Sequence, residues 1–168
     1  MEFIPAAAPN FKVGRDGKPI QYIIIHSIVG SIESCIRTFQ NPARIASAHN
    51  IVGWTGREVQ MVAYPNTAYH AGNWDINLRS IGIEHDDQAR PWDPRPAIVY
   101  ETSARRVAVL CKTYGIPCNR TRIKKHSEVS LAGTACPAGL NIDKIVARAQ
   151  QILTPPPPPP TCNPVCPS

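Results

Sequence analysis

His126 and Cys136 stand ten positions apart in the segment KKHSEVSLAGTACPAGLNID, among glycines and a proline. Imidazole and thiolate are donor types that zinc prefers, and a loop rich in Gly and Pro lets both face one point. A pair alone leaves two readings open: two ligands of one metal, or a surface histidine beside an unrelated thiol. The run IQYIIIHSIVG supplies a third donor, His26, at the end of an apolar stretch. A catalytic zinc site needs three protein ligands and a fourth position for water, so the three together meet the count. Such a site acidifies water and polarises a carbonyl oxygen, which is the chemistry of amide or ester hydrolysis.

The elements that must hold these donors follow from the hydrophobic pattern. The β-branched run from Ile20 reads as a buried strand, central in its sheet, whose polar end opens on a cleft. In SIESCIRTFQNP, Ile32, Cys35, Ile36 and Phe39 keep helical spacing behind Ser31 as N-cap. SAHNIVGWTGREVQMVAY reads as a hairpin turning at Thr55-Gly56, and SIGIEHD as a further strand. Between them PNTAYHAGNWDINLR reads as a loop over a groove. A helix is expected from Ala97 to Tyr114, ended by Gly115, and another after Asn141 with the stripe Ile142, Ile145, Val146, Ala149 and Ile152.

These elements imply one α/β domain over residues 1–153, with a mixed central β-sheet flanked by helices. Residues 154–168 follow as a polyproline spacer and a short tail that could be closed only by a Cys162–Cys166 bridge. Cys111 and Cys118 could come within disulfide reach, and Cys35 reads as a small hydrophobe on its helix face. His49 reads as structural.

The chain of 168 residues carries a net charge of +6. A partner with negative charge is therefore expected, either nucleic acid or an anionic cell-wall polymer. The only adjacent basic pairs are Arg105-Arg106 and Lys124-Lys125, with no basic run interleaved with aromatics, which argues against nucleic acid. No segment is long and apolar enough for a membrane span, and MEFIPAAAPNFKVG lacks the pattern of a secretory signal. Either export by that route does not occur, or a leader has been removed. Six cysteines leave the redox compartment open.

The segments YIIIHSIVG, SAHNIVGWTGREVQMV, TAYHAGNW, SIGIEHDD and KKHSEVSLAGTACPAGLNIDKI together resemble, in order and spacing, the type 2 N-acetylmuramoyl-L-alanine amidases. That zinc family includes phage endolysins, bacterial wall amidases and peptidoglycan recognition proteins, and the resemblance covers roughly residues 18–150. It implies a zinc site in a surface groove that binds peptidoglycan. The implied reaction is hydrolysis of the amide between N-acetylmuramic acid and the L-alanine of the stem peptide, at the bacterial cell wall, by a monomer.

Carried over by position, the resemblance makes His26, His126 and Cys136 the zinc ligands. The cysteine favours an enzyme over a recognition-only module. One branch of the family uses a tyrosine and a lysine that this chain replaces with Ala48 and Thr134. Another branch has a glutamate in SIGIE, here Glu84, which is expected to act as general base and then as proton donor to the leaving amine. Thr134 is expected to donate a hydrogen bond to the developing oxyanion. His70, Asn73 and Trp74 are expected to contact substrate, the indole offering an apolar face to a sugar. The readings that compete are a peptidoglycan-binding module without catalysis and an amidase of soluble anhydro-muropeptides.

Overall fold

The computed structural model describes residues 1–92 and 94–154. Eight strands and four α-helices alternate along this part of the chain. The strands are β1 (Glu2–Phe3), β2 (Phe11–Lys12), β3 (Tyr22–Ile25), β4 (Asn50–Val52), β5 (Glu58–Gln60), β6 (Thr67–Ala68), β7 (Ser80–His85) and β8 (Ile123–Lys125). The helices are α1 (Ile32–Gln40), α2 (Trp74–Arg79), α3 (Ala97–Tyr114) and α4 (Ile142–Leu153). Six strands form a mixed sheet in the order β1-β5-β4-β7-β3-β8, and β2 pairs with β6 in a small second sheet. No helix among the described residues is long and apolar enough to cross a membrane.

The β-branched run of β3 is buried because both of its neighbours, β7 and β8, are parallel to it and helices cover the sheet. Ile23, Ile25, Ile81, Ile83 and Ile123 join the α3–α4 core, while Ile51 and Val59 pack with α1 in a second core. Alternation along the strands divides the two sets. The strand expected to be central is in fact second from an edge, because the short polar strand Ile123–Lys125 pairs outside it. The hairpin forms as β4 and β5, antiparallel, with Gly56 at a φ of 85°.

Two helix ends follow the expected chemistry. Ser31 caps α1 by accepting from the Ser34 N–H, and Gly115 ends α3 in the left-handed region. The stretch expected to be a loop is more ordered: Thr67–Ala68 pair with β2, and residues 74–79 form α2, capped by the Asn73 side chain. The reason is local. Asn73, Asp75 and Arg79 supply a cap, an acidic first turn and a basic last turn, which suffice for six residues. Cys35 is buried in the α1 core, and Cys111 and Cys118 are free thiols. Cys162 and Cys166 lie outside the described residues.

Candidate metal centre

The parallel register sets up the site. Ile25 pairs with Ile83 on one side and with Lys125 on the other, so the next residues, Glu84, His26 and His126, stand in one row across β7, β3 and β8. Residues in step on parallel strands project from the same face, and this row lies at the carboxyl ends of the strands, where open α/β sheets form their clefts. Cys136 enters from the loop after β8, held by its N–H to the Thr134 hydroxyl at 3.2 Å and by the Ser127 N–H to its own carbonyl at 2.9 Å.

Donor atoms of His26, His126 and Cys136 all lie within 4.8 Å of one another. The rings of His26 and His126 have centroids 4.5 Å apart, and the Cys136 sulfur is 3.9 Å from Nδ1 of His26. Nε2 of His126 is buried without a hydrogen-bond partner among the described residues. A buried polar atom left without a partner is costly, and two imidazoles and a thiol form a donor set suited to zinc. The residues therefore fit that ion.

The electrostatics are those of a dry pocket. Burial first, then the neighbouring His70, His126 and His85, hold the His26 imidazole neutral, well below its ordinary pKa. Burial likewise lowers the pKa of His126, and neutral imidazole is the form that binds metals. Burial and then Glu84 push the Cys136 thiol up to about 12. Its sulfur accepts a hydrogen bond from the Ser27 N–H at 3.3 Å. A thiol of that pKa is a poor free nucleophile but becomes a thiolate when a cation binds it.

Glu84 is placed by β7 with Oε1 3.9 Å from His26 Nδ1 and with Oε2 buried and unpartnered among the described residues. Burial and then Asp87 raise its pKa to about 8. Asp87 is itself fully buried, accepting from the N–H groups of Gly30 and Ala89 and from the Ser27 hydroxyl. It braces the turn whose Ser27 N–H meets Cys136.

The other expected site residues fall into two groups. Thr134 is exposed beside Cys136, in a cleft of about 300 Å³ that Val29 and Trp92 also line. Because its oxygen accepts from the Cys136 N–H, its own O–H is available to donate. Trp74 is 49% exposed with its ring 5.8 Å from that of Tyr69, so the two form an aromatic ledge. Asn73 and His70 are turned inward instead. Asn73 caps α2 and donates to the Val129 carbonyl, while His70 meets His26 at 3.0 Å and Ser80 at 3.2 Å. His49 is buried between Arg15, Asn66 and the Gly82 N–H, a structural setting that the sequence pattern foreshadows without naming those partners.

A family model described as N-acetylmuramoyl-L-alanine amidase matches residues 16–139. The chain is 33% identical over 115 residues to N-acetylmuramoyl-L-alanine amidase A of Achromobacter lyticus, covering 68% of this chain and 63% of that protein. It therefore spans less than two thirds of that relative's length. Among solved structures, the fold is similar to that of an AmpD derivative, with a TM-score of 0.72, 20% identity, and coverage of 88% of this chain and 93% of that one. A mutant endolysin from Bacillus subtilis gives a TM-score of 0.69 at 23% identity, covering 88% of this chain and 96% of that one. The Staphylococcus aureus hydrolase AmiA gives 0.72 at 18% identity, covering 90% and 82%.

Proposed function

Since the chain belongs to the type 2 N-acetylmuramoyl-L-alanine amidase family, we propose that it is a zinc amidase that cuts the bond between N-acetylmuramic acid and L-alanine in bacterial peptidoglycan. The observation that carries this reading is the convergence of the His26, His126 and Cys136 donor atoms within 4.8 Å. Those three residues would hold the ion, and a zinc ion there supplies an acidified water and Lewis-acid polarisation of the scissile carbonyl.

The chain's own groups do the rest. Glu84 takes a proton from the attacking water at its unpartnered oxygen and returns it to the departing L-alanine amine. A carboxyl whose pKa is raised to about 8 is matched to the second transfer, and a cation held by the neighbouring donors would favour the ionised form that the first transfer needs. The Thr134 hydroxyl donates to the oxygen that gains charge as the carbonyl becomes tetrahedral. Trp74 and Tyr69 offer ring faces on which the sugar or stem peptide rests. Asp87 keeps Ser27 in place, so that the Cys136 sulfur meets a hydrogen-bond donor.

In this reading residues 1–153 are the catalytic unit, acting as a monomer at the cell wall, with residues 154–168 as an appended tail. The net charge of +6 draws the protein to anionic wall polymers or outer-membrane lipids. The test is the release of new L-alanine amino termini from purified sacculi, with and without a chelator. Cleavage that survives metal removal contradicts the zinc reading. Binding to sacculi with no release from metal-loaded protein favours a recognition module.

A further inference from the structure

We infer that His70 acts as a positioning residue for the metal centre: it sets which ring nitrogen of His26 carries the proton, through a hydrogen-bond chain that ends on the Ile76 carbonyl. The inference rests on the metal reading above for its consequence, though not for its geometry.

The chain can be followed from its far end. Ser80 has a single hydroxyl hydrogen, and its oxygen lies 2.6 Å from the Ile76 carbonyl, which can only accept. That hydrogen is therefore committed. Toward Nε2 of His70, 3.2 Å away, Ser80 can only accept, so His70 carries its proton on Nε2. A neutral imidazole has one donor and one acceptor nitrogen, so with the proton on Nε2 the Nδ1 of His70 is an acceptor. Nδ1 lies 3.0 Å from Nε2 of His26, so His26 must donate from Nε2. The lone pair of His26 is then on Nδ1, the nitrogen that faces Cys136 at 3.9 Å. The opposite tautomer would place a proton where the ligand lone pair has to be.

The site for His70 is built. A Cβ on Gly82 would stand 2.6 Å from Cγ of His70, so the ring lies directly against bare backbone of β7. Both ring nitrogens of His70 are thus used inside the protein, which makes substrate contact a matter of its ring edge at most. Metal-bound histidines are commonly oriented by a hydrogen bond from the second ring nitrogen, and losing such a partner weakens metal affinity about 10–100-fold.

Two measurements on the full chain test this. Long-range proton–nitrogen correlation spectra of the metal-free wild type report the His26 tautomer with no substitution needed; a proton on Nε2 is expected, and a proton on Nδ1 overturns the proposal. Zinc affinity, measured by competition with a chromophoric chelator, is expected to fall about 10–100-fold in His70→Phe, which keeps the ring shape and removes the acceptor. His70→Asn, whose amide oxygen can stand near the lost Nδ1, is expected to restore most of that loss. Equal zinc affinity in His70→Phe and wild type overturns the proposal, as does an equal loss in both variants. Failure of the wild type to bind zinc while His26 carries its proton on Nε2 supports the tautomer assignment and overturns only the metal reading.

Discussion

The carboxylate of Glu84 stands 3.9 Å from Nδ1 of His26, the nitrogen that also faces the Cys136 sulfur. One oxygen of Glu84 is therefore beside the donor cluster while the other is buried without a partner among the described residues. Glu84→Gln keeps the shape and removes the base. Turnover on sacculi is expected to fall about 10²–10⁴-fold. Zinc affinity should be nearly unchanged, because Glu84 is not among the three donors. A variant with full turnover would place the proton transfer on another residue.

Thr134 offers a free hydroxyl hydrogen next to Cys136. Thr134→Val preserves bulk and branching but removes that donor and the acceptor for the Cys136 N–H. The rate constant for turnover is expected to fall by up to about 10²-fold, with KM changed much less, since the hydrogen bond strengthens as charge develops. Thr134→Ser should recover most of the rate. A loss confined to KM would make Thr134 a substrate contact instead.

Metal removal should cost stability as well as activity. An ion that binds only the folded chain stabilises it by about 2.7 kcal/mol when present at 100 times its dissociation constant. Thermal unfolding of chelated protein is expected at a lower temperature, restored by zinc. Cys136→Ala should abolish the zinc-dependent increment.

His49 makes the fold sensitive to acid. Its pKa falls from 6.5 to about 3 through burial and then the nearby Arg15, while the Gly82 N–H points at Nδ1. Between those two values the unfolded chain takes up a proton that the folded chain refuses, so stability is full above pH 6.5 and drops as pH falls through that window. His85, lowered to about 4, acts in the same direction. Urea unfolding at pH 7 and at pH 4.5 should show a lower midpoint at the acid value. His49→Gln should flatten part of that difference; an unchanged pH dependence would place the acid sensitivity elsewhere.

Arg15 clamps the segment that carries His70. It is buried, and it donates to the carbonyls of Tyr64, Leu78 and Ser80 at 2.8–3.0 Å. Arg15→Leu would leave those acceptors without their donor. Each buried acceptor so stranded costs about 1–3 kcal/mol. A denaturant midpoint close to that of the wild type would show that water replaces the guanidinium.

Much of the scaffold was legible before the structure. The isoleucine run of β3, the stripes of α1 and α4 and the Gly115 stop each express a local rule of periodicity or capping. The three donors were legible as types, because two imidazoles and a thiol stand at a strand end and in a glycine-rich loop and are donor types that zinc prefers. What stayed hidden depends on contacts between distant segments. The strand Ile123–Lys125 has three residues, two of them lysines, and no periodic signal; it exists because β3 offers an unpaired edge. The capping role of Asn73 was not separable in sequence from its expected substrate contact, because a cap and a ligand-binding amide look alike there. The inward role of His70 requires Ser80 and bare backbone at Gly82, both supplied by a strand that follows it.

The row of Glu84, His26 and His126 has a consequence for assembly. His26 and His126 come from strands a hundred residues apart, and they come into step only when β3 and β8 have paired in parallel. Such pairings between distant segments are slow to form relative to local structure. Capture of zinc by a refolding chain should therefore lag behind helix formation and coincide with the pairing of β3 and β8, so the ion serves as a reporter of when that register has been set.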